Sequence, residues 1–550
     1  MDKITFSDKN SRRGDSFMRK KAEHGIIVLA SFFSLVFIVI IGNYFRIAGN
    51  TSYSEIAEKR YAMTVEVSSN EGNIYDRNMK RLVNTDTKYV AVAIPQAVER
   101  DELVEYAVDK DDFYAKYDVG EPFEFEAKCY IEESDGLTVF RVPIRYSESS
   151  IATHIIGYTS QNVGVTGIEY AYDSILRDDY GENSVTYSAD GFGRVLIGGG
   201  KKVVKSSITC SGVVTTIDSD IQKICENAGS SIEKGAIVVT EIETGNILAL
   251  ASFPDYSLSN IESAVNDENS PMINRALYSY GVGSIFKLVT ACEAIQEGYG
   301  DLMYNCSGEI NVFGQRFRCH KLDGHGLQTM SEAMINSCNT YFINLIGNLD
   351  ITKLRDTAFR LGFGRETHLC SGITASGGVL PTISSLTVPA ELANFSFGQG
   401  KLTATPLQIS QLTCAIANDG KMPVLRLIRG ITEDGITVPN EKNTQYAYAM
   451  EESTAKLLKD MMMAAVNENE DSNAKPKSVM AAAKTSTAQT GQYDEDGNEL
   501  CHAWITGFFP AEAPMYAVTV LVENGGYGND AAAPVFRKIA DEIVKLKERD

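Results

Sequence analysis

Residues 281–297 read GVGSIFKLVTACEAIQE, and the interpretation of the whole chain starts from this stretch. A turn with two glycines precedes Ser284, an apolar helical run follows it, and Gly298 ends the run. Ser284 and Lys287 are three residues apart, so a helix places both on one face. The first helical turn also carries unpaired backbone N–H groups and a positive partial charge. A serine there, with an amine beside it, has the groups that acyl transfer needs.

The Ser-x-x-Lys pattern is weak alone, because an N-cap serine followed by a solvated lysine gives the same four letters. Two further motifs follow in order: Ser337-x-Asn339, then Lys484-Thr485-Ser486. Each also fits an ordinary structure, a polar helix end for the first and an edge strand for the second. Three such motifs in this order, each in a suitable predicted element, favour a catalytic site.

Composition excludes several classes of function. A chain of 550 residues can hold about two to four domains. Its net charge of -21 leaves no basic surplus to neutralise phosphates, so we expect no nucleic-acid partner. Six histidines without an HExxH or CxxC pattern predict no metal site and no cofactor. Among the ten cysteines, Cys306 and Cys319 are the pair that we would test for a disulfide.

The N-terminus predicts a membrane anchor. Basic residues precede an apolar run over residues 25–42, whose only polar members are Ser31 and Ser34. The run is about long enough to span a bilayer, and no small-x-small cleavage site follows it. We therefore predict an uncleaved transmembrane helix at residues 25–45. The basic flank places residues 1–24 in the cytoplasm and the catalytic part outside the cell membrane.

Periodicity predicts two regions after the anchor. Residues 61–68 alternate like a strand, residues 71–78 form a turn-rich connection to a returning strand at 89–94, and the acidic residues 98–135 are partly helical. From residue 211 onward a hairpin, a mostly helical middle over 349–465 and three further strands follow. Helices between strands at both ends predict an α+β fold, in which helices pack on one antiparallel sheet.

The flanking segments make the three motifs specific. The chain resembles a class B, monofunctional penicillin-binding protein over nearly its whole length. The catalytic half carries TTID at 215–218, TGNILA at 244–249, NRA at 274–276, FGQG at 397–400, TPLQ at 405–408 and AAPVF at 532–536. The first half carries GNIYDR at 72–77 and GVTGIE at 164–169. The resemblance implies a pedestal or dimerisation-type domain at 46–210 and a penicillin-binding/serine β-lactamase-like transpeptidase domain at 211–550.

The resemblance also implies the reaction and part of its machinery. The reaction is D,D-transpeptidation of peptidoglycan stem peptides that end in D-Ala-D-Ala. Ser284 is the implied nucleophile and Lys287 its general base. Lys484 is the neighbouring cation, and Ser337 relays a proton to the leaving amine. β-Lactam antibiotics are expected to acylate Ser284 as substrate mimics.

The remaining implied residues bind substrate. Asn339 is expected to hydrogen-bond the substrate backbone, and the Thr485 and Thr487 hydroxyls to meet its terminal carboxylate. Ser486 belongs to the same substrate-binding strand. The backbone N–H groups of Ser284 and Thr487 form the implied oxyanion hole.

Three positions depart from the family pattern. The proline that usually precedes the catalytic Gly-Ser is Val282, and the glycine that usually ends the third motif is Ser486. The arginine usual before Gly72 is Glu71. We expect the Ser486 side chain to crowd the substrate strand and alter β-lactam affinity, and Glu71 to disturb a pedestal salt bridge.

Other functions stay open at this point. Water attacking the same acyl-enzyme gives a D,D-carboxypeptidase or a β-lactam hydrolase. A bifunctional class A enzyme would need a glycosyltransferase domain of roughly two hundred residues, where this chain carries the class B motifs. A non-catalytic penicillin sensor or scaffold would keep acylation without peptide turnover. The class B resemblance also implies a membrane glycan polymerase as partner, bound through the span and the pedestal.

Overall fold

A computed structural model places the chain in two compact units. The first comprises residues 1–68, 89–141 and 182–205, and the second comprises 69–88, 142–181 and 206–550. The residues that the structure describes are 11–49, 62–69, 71–177, 182–190, 192, 194–198, 200–206, 209–439 and 443–549. Residues 1–10 of the predicted cytoplasmic tail and 50–61 of the predicted pedestal lie outside them. The linear domain boundaries predicted above stay predictions.

One long helix, Ser11–Ala48, contains the predicted anchor. The most apolar 18-residue window of its segment Arg19–Ala48 has a mean hydropathy of 2.8, and none of that window is buried. Within the described residues it is the one helix long and apolar enough to cross a membrane. Its exposed side chains are apolar over most of this segment, which is the surface that lipid requires.

The first unit contains two three-stranded sheets and two short helices. In one sheet, strand Glu182–Ser188 lies between Ala62–Ser69 and Lys201–Val204. The other has the strand order Phe123–Ala127, Asp86–Ala93, Leu137–Ile144, and the helices are Arg100–Leu103 and Lys110–Val119. The predicted strand at 89–94 therefore forms, but the prediction that it returns along the first strand is wrong. The connecting segment is more than a turn, because Asn73–Tyr75 is a buried strand that pairs in parallel with Gly212–Thr215.

The departure at Glu71 has a partner that the sequence did not suggest. The Arg145 guanidinium lies 3.1 Å from the Glu71 carboxylate and 2.7 Å from that of Glu169. Arg145 also donates to the Gly72 carbonyl. We expected Glu71 to disturb a salt bridge. Instead it forms one with Arg145, an arginine from a distant segment that pairs with two carboxylates. Burial nevertheless raises the pKa of Glu71, because the charged form loses solvent.

The second unit is organised on one five-stranded antiparallel sheet, which confirms the predicted fold class. Its strand order is Ile247–Phe253, Gly235–Glu241, Tyr516–Val522, Glu499–Phe509, Ala482–Tyr493. Alternate side chains face opposite sides, as in any strand. Trp504 and Phe508 join one hydrophobic core with the helices that carry the motifs, whereas Ile505 and Phe509 join another with the C-terminal helix.

Helices cover both faces of this sheet. On the motif side they include Lys287–Gln296, Met330–Ile335, Asn339–Ile346, Ile351–Arg360, Pro389–Ser396, Pro406–Ala417 and Glu452–Asn467, and on the other side Ser219–Ala228 and Ala533–Lys547. Further helices of the unit are Thr153–Ile156, Gly167–Ala171, Asp173–Leu176, Ile261–Val265, Ile383–Leu386 and Gly528–Ala531. The Asp218 side chain caps the helix Ser219–Ala228, because it accepts from the backbone N–H groups of Asp220 and Ile221.

Short paired strands lie both inside the predicted helical middle at 349–465 and before it. They are Thr367–Cys370 with Ile373–Ala375, Lys421–Pro423 with Tyr446–Tyr448, Tyr304–Cys306 with Gly326–Gln328, Glu309–Val312 with Gln315–Arg318, Tyr280–Gly281 with Thr403–Ala404, and Ile428–Thr432 with Gly212–Thr215. The prediction that residues 349–465 are mostly helical is therefore only partly right. These strands are two to five residues long. Such short strands show too little alternation of apolar and polar residues for a sequence pattern to detect.

Candidate active site

The nucleophile turn, defined here as residues 281–286, holds Ser284 at the start of a helix. Gly283–Phe286 is a 3-10 turn, and the α-helix Lys287–Gln296 continues from it. Gly283 has φ +61°, and a β-carbon there would collide with the Ser486 hydroxyl. The turn is anchored by backbone and ring contacts, since Gly283 N–H donates to the Gly398 carbonyl and Trp504 Nε1–H donates to that of Gly281. Ser284 itself is half-buried.

Two of the family departures contact each other directly beneath this turn. The Ser486 hydroxyl donates to the Val282 carbonyl at 2.8 Å, and both residues are buried. Lys484 and Ser486 share the inward face of their strand, so the Ser486 side chain points at the nucleophile turn. The Ser486 side chain therefore does not crowd the substrate strand as we expected. Its hydroxyl ties the third motif to the turn that carries Ser284.

Lys287 is buried completely and is surrounded by oxygen atoms of the second motif. Its Nζ donates to the Ser337 carbonyl at 2.7 Å, to Asn339 Oδ1 at 2.7 Å and to Ser337 Oγ at 3.2 Å. Burial lowers the pKa of Lys287 well below that of a free lysine, and the nearby Lys484 cation lowers it further. The side chain is thereby prepared to be a neutral amine, as a general base must be.

Ser337 lies at a break between two helices. The first helix, Met330–Ile335, begins at Thr329 with a capping box and ends before Ser337, which has φ +47°. The second begins at Asn339. A non-glycine residue with positive φ is uncommon and cannot continue a helix. This break brings the carbonyl and hydroxyl of Ser337 together on Lys287.

The third motif places a second buried lysine on the same hydroxyl. Lys484 Nζ donates to Ser337 Oγ at 3.2 Å and to the Thr485 carbonyl at 3.0 Å. Burial lowers the pKa of Lys484 to about 8. The hydroxyl of Ser337 therefore receives hydrogen bonds from both lysines at equal distances. The structure brings together the side chains of all three motifs, which the sequence separated by up to two hundred residues.

Two positioning groups at the strand end were not assigned roles from the sequence. Gln399 Nε2 donates to the Thr487 carbonyl at 3.3 Å, and the Gly528 N–H donates to Thr487 Oγ1 at 3.3 Å. Gln399 belongs to the FGQG segment, which resembles the family but to which the sequence assigned no role. Gly528 had no signal, because it meets the strand only in three dimensions. Both contacts orient Thr487, whose backbone N–H is one of the expected oxyanion donors.

A buried ion pair supports the nucleophile turn from behind. Arg275 Nε lies 3.0 Å from Glu523 Oε1, and the Tyr280 hydroxyl donates to the same oxygen at 2.7 Å. The Tyr280 ring packs edge-on against His502 and Trp504. Arg275 belongs to the NRA segment, so its resemblance to the family has a physical basis in this contact.

Replacing Arg275 with alanine should destabilise this unit by about 3–5 kcal/mol, because it leaves the Glu523 carboxylate buried without its cation. Trp504, the single tryptophan, packs against Tyr280, which binds Glu523, so its fluorescence reports urea unfolding of this unit. A matched control is Arg316→Ala, which removes an exposed arginine 3.4 Å from Glu309 and should cost less than about 1 kcal/mol. Equal costs for the two variants would contradict the assignment.

A further cluster lies against the second motif. Cys306, Cys319, His325 and Cys338 each offer one ligand atom, and these atoms all lie within 4.8 Å of one another. The four side chains could hold a metal ion, although the sequence predicted none. The prediction relied on short ligand patterns, whereas these ligands come from four separate segments that only the fold brings together. All ten cysteines are free thiols, including the pair Cys306 and Cys319.

The chain is similar to known proteins along most of its length. The family model described as the penicillin binding protein transpeptidase domain matches residues 235–541. The chain is 25% identical to the peptidoglycan D,D-transpeptidase MrdA of Escherichia coli K12, over 96% of each chain. It resembles the penicillin G acyl-enzyme complex of penicillin-binding protein A from M. tuberculosis, with 22% identity, a TM-score of 0.64 and coverage of 87% of this chain and 100% of that one. A structure titled for a peptidoglycan synthase complex that coordinates polymerization and crosslinking gives 24% identity, a TM-score of 0.66 and coverage of 94% and 97%.

Proposed function

This chain belongs to the penicillin-binding protein transpeptidase family, and we propose that it is a serine peptidoglycan D,D-transpeptidase that β-lactams inhibit. The observation that carries the proposal is the convergence of two buried lysines on one hydroxyl. Lys287 and Lys484 each donate to Ser337 Oγ at 3.2 Å, and Lys287 follows Ser284 by three residues.

Acylation begins at Ser284. Its hydroxyl attacks the carbonyl between the two terminal D-alanines, and its proton moves to the neutral Lys287 amine. Burial and the Lys484 charge keep that amine neutral, which is why both lysines are needed. The backbone N–H groups of Ser284 and Thr487 bind the oxyanion that forms on the attacked carbonyl.

The leaving D-alanine takes its proton through the second motif. Ser337 Oγ contacts both lysines, so it can pass the proton from Lys287 to the departing amine while Lys484 remains charged. Lys484 with the Thr485 and Thr487 hydroxyls binds the terminal carboxylate. Asn339 hydrogen-bonds the substrate backbone. An amine of a second stem peptide then attacks the ester and restores the Ser284 hydroxyl, which completes the cross-link.

The acylation rate should fall above about pH 8, where Lys484 loses its proton. Deprotonation removes the cation that binds the substrate carboxylate, so the loss should fall mainly on binding. The measurement is the second-order rate of benzylpenicillin acylation between pH 6 and about 10. In Lys484→Arg, whose guanidinium stays protonated, the alkaline fall should move to higher pH. Lys401→Arg, at an exposed lysine, serves as the control. If the alkaline fall in rate stays at the same pH in Lys484→Arg, a group other than Lys484 causes it.

The proposal includes the membrane arrangement. Residues 25–45 span the membrane once, residues 1–24 are cytoplasmic, and the catalytic domain at 211–550 is extracytoplasmic. The basic residues before the span support this orientation. The domain at 46–210 is a pedestal, and with the span it binds a membrane glycan polymerase. The similarity to a structure titled for a peptidoglycan synthase complex supports such a partner.

The decisive experiment uses the full chain in detergent with two reagents. Benzylpenicillin should give one covalent adduct, located on the peptide containing Ser284 by mass spectrometry. A stem peptide ending in D-Ala-D-Ala should release D-alanine and, with an amine acceptor, yield a cross-linked product. D-Alanine release without acceptor incorporation would indicate a carboxypeptidase. An adduct without any peptide turnover would indicate a penicillin sensor or scaffold, and rapid drug release would indicate a β-lactam hydrolase.

A further inference from the structure

The cluster beside the second motif has the composition of a structural metal site. Cys306, Cys319 and Cys338 are at most 2% exposed, and His325 is half-buried beside them. Cys306 ends the strand Tyr304–Cys306, Cys319 follows a hairpin, His325 precedes the strand Gly326–Gln328, and Cys338 lies between the two motif helices. Three thiols and an imidazole are the donors that zinc prefers in closed, four-coordinate sites.

The distances between the donor atoms agree with tetrahedral coordination. Cys319 Sγ lies 3.8 Å from Cys338 Sγ and 3.6 Å from His325 Nδ1. Zinc–sulfur bonds of about 2.3 Å and zinc–nitrogen bonds of about 2.05 Å give tetrahedral edges of about 3.8 Å and about 3.6 Å. A disulfide would instead bring two sulfur atoms to about 2.05 Å. These two distances thus match the edges of a coordination sphere, and all four donor atoms lie within 4.8 Å of one another.

We propose that Cys306, Cys319, His325 and Cys338 bind one zinc ion, and that this ion fixes the turn that carries Ser337 and Asn339. All four coordination positions belong to side chains, so the site is structural and holds no reactive water. The three thiols lose their protons to solvent when the ion binds. The Thr340 hydroxyl donates to Cys306 Sγ at 3.1 Å and supplies outer-shell support for that ligand.

The link to the active site is covalent and short. Cys338 stands between Ser337 and Asn339, and both of these neighbours bind Lys287 Nζ at 2.7 Å. Ser337 holds a positive φ of 47°, a conformation that persists only where its surroundings impose it. A metal bond to Cys338 and the hydrogen bonds from Lys287 together hold Ser337 in this conformation. This second part of the inference rests on the proposed function, whereas zinc binding does not.

The binding test measures metal on the full chain in detergent, grown with zinc and freed of loose metal. We expect one zinc per chain by elemental mass spectrometry, and thiolate-to-cobalt absorption after exchange with Co²⁺. His325→Ala should weaken zinc binding by more than about 100-fold, beyond what outer-shell changes cause. The matched comparison is His320→Ala, because His320 is exposed and its Nδ1 lies 3.9 Å from Cys319 Sγ, farther than that of His325. Circular dichroism checks that both variants fold.

Three results would overturn the site. They are a wild-type chain without metal or cobalt–thiolate absorption, a disulfide among Cys306, Cys319 and Cys338 in a non-reduced peptide map, and loss of zinc in His320→Ala but not in His325→Ala. The positioning role has its own readout in benzylpenicillin acylation. Removing zinc with a chelator should slow acylation about 100-fold, the cost of small misplacement in a catalytic site, and added zinc should restore it. An unchanged rate after zinc leaves overturns the positioning role alone. A zinc-loaded chain that benzylpenicillin never acylates instead refutes the proposed function.

Discussion

Ser284→Ala should show no covalent penicilloyl adduct after prolonged exposure to benzylpenicillin, although the protein stays folded. The substitution removes the one hydroxyl placed at the start of the helix Lys287–Gln296, where backbone N–H groups can stabilise the oxyanion. Alanine fits because it is smaller than serine and Ser284 is only half-buried. The readout is intact mass of the full chain before and after the drug.

The second serine of the site is the matched control for this prediction. Ser337 contacts both lysines, but it lies at a helix break, where its hydroxyl receives a hydrogen bond from each of them. Ser337→Ala should therefore still form the adduct, with acylation slowed by about 100-fold as expected for a lost proton relay. If Ser284→Ala formed the adduct and Ser337→Ala did not, Ser337 would be the nucleophile instead of Ser284.

The fold and the order of the motifs were predictable because local signals carry them. The hairpin at 235–253 alternates strongly around a Thr244-Gly245-Asn246 turn, and the closing helix and Asp218 cap have standard patterns. The motif residues Ser284 and Lys287 are three positions apart, so helical geometry alone places them together. Such features depend on residues that are close in sequence.

What sequence did not reveal depends on contacts between distant segments. The Glu71–Arg145 pair joins residues that no periodicity relates. The Ser486 side chain was expected near substrate, but only the packing of its strand against the nucleophile turn directs it to the Val282 carbonyl. The break at Ser337 is opposed by the apolar periodicity on both sides of it, which favours one helix. The hydrogen bonds that Ser337 and Asn339 accept from Lys287 favour the break instead.

The cysteine cluster shows the same limit for ligands. Short metal motifs place two ligands on one turn or one knuckle, and a search for HExxH and CxxC detects that arrangement alone. Here each of Cys306, Cys319, His325 and Cys338 lies in its own segment. Cys338 was noticed only as the middle letter of a catalytic motif, so its sulfur was not considered as a ligand.

Lys287→Met should slow benzylpenicillin acylation by about 10⁴-fold, the upper range for loss of a positioned general base. Methionine has a similar length and suits a fully buried position, so the protein should stay folded. The measurement is the acylation rate by intact mass or quench flow, with the exposed Lys401→Met as the control.

The Lys287→Arg variant decides whether the amine acts as a base or only as a charge. A guanidinium keeps its proton throughout the accessible pH range and cannot accept one from Ser284. If Lys287 is the base, the arginine variant is about as slow as the methionine variant. The wild-type rate should also fall on acidification, because below its lowered pKa Lys287 becomes a cation with no free electron pair. That acid limb should be missing from the residual rates of both variants. An arginine variant as fast as wild type would show that a positive charge at this position suffices, and the base would have to be sought elsewhere in the site.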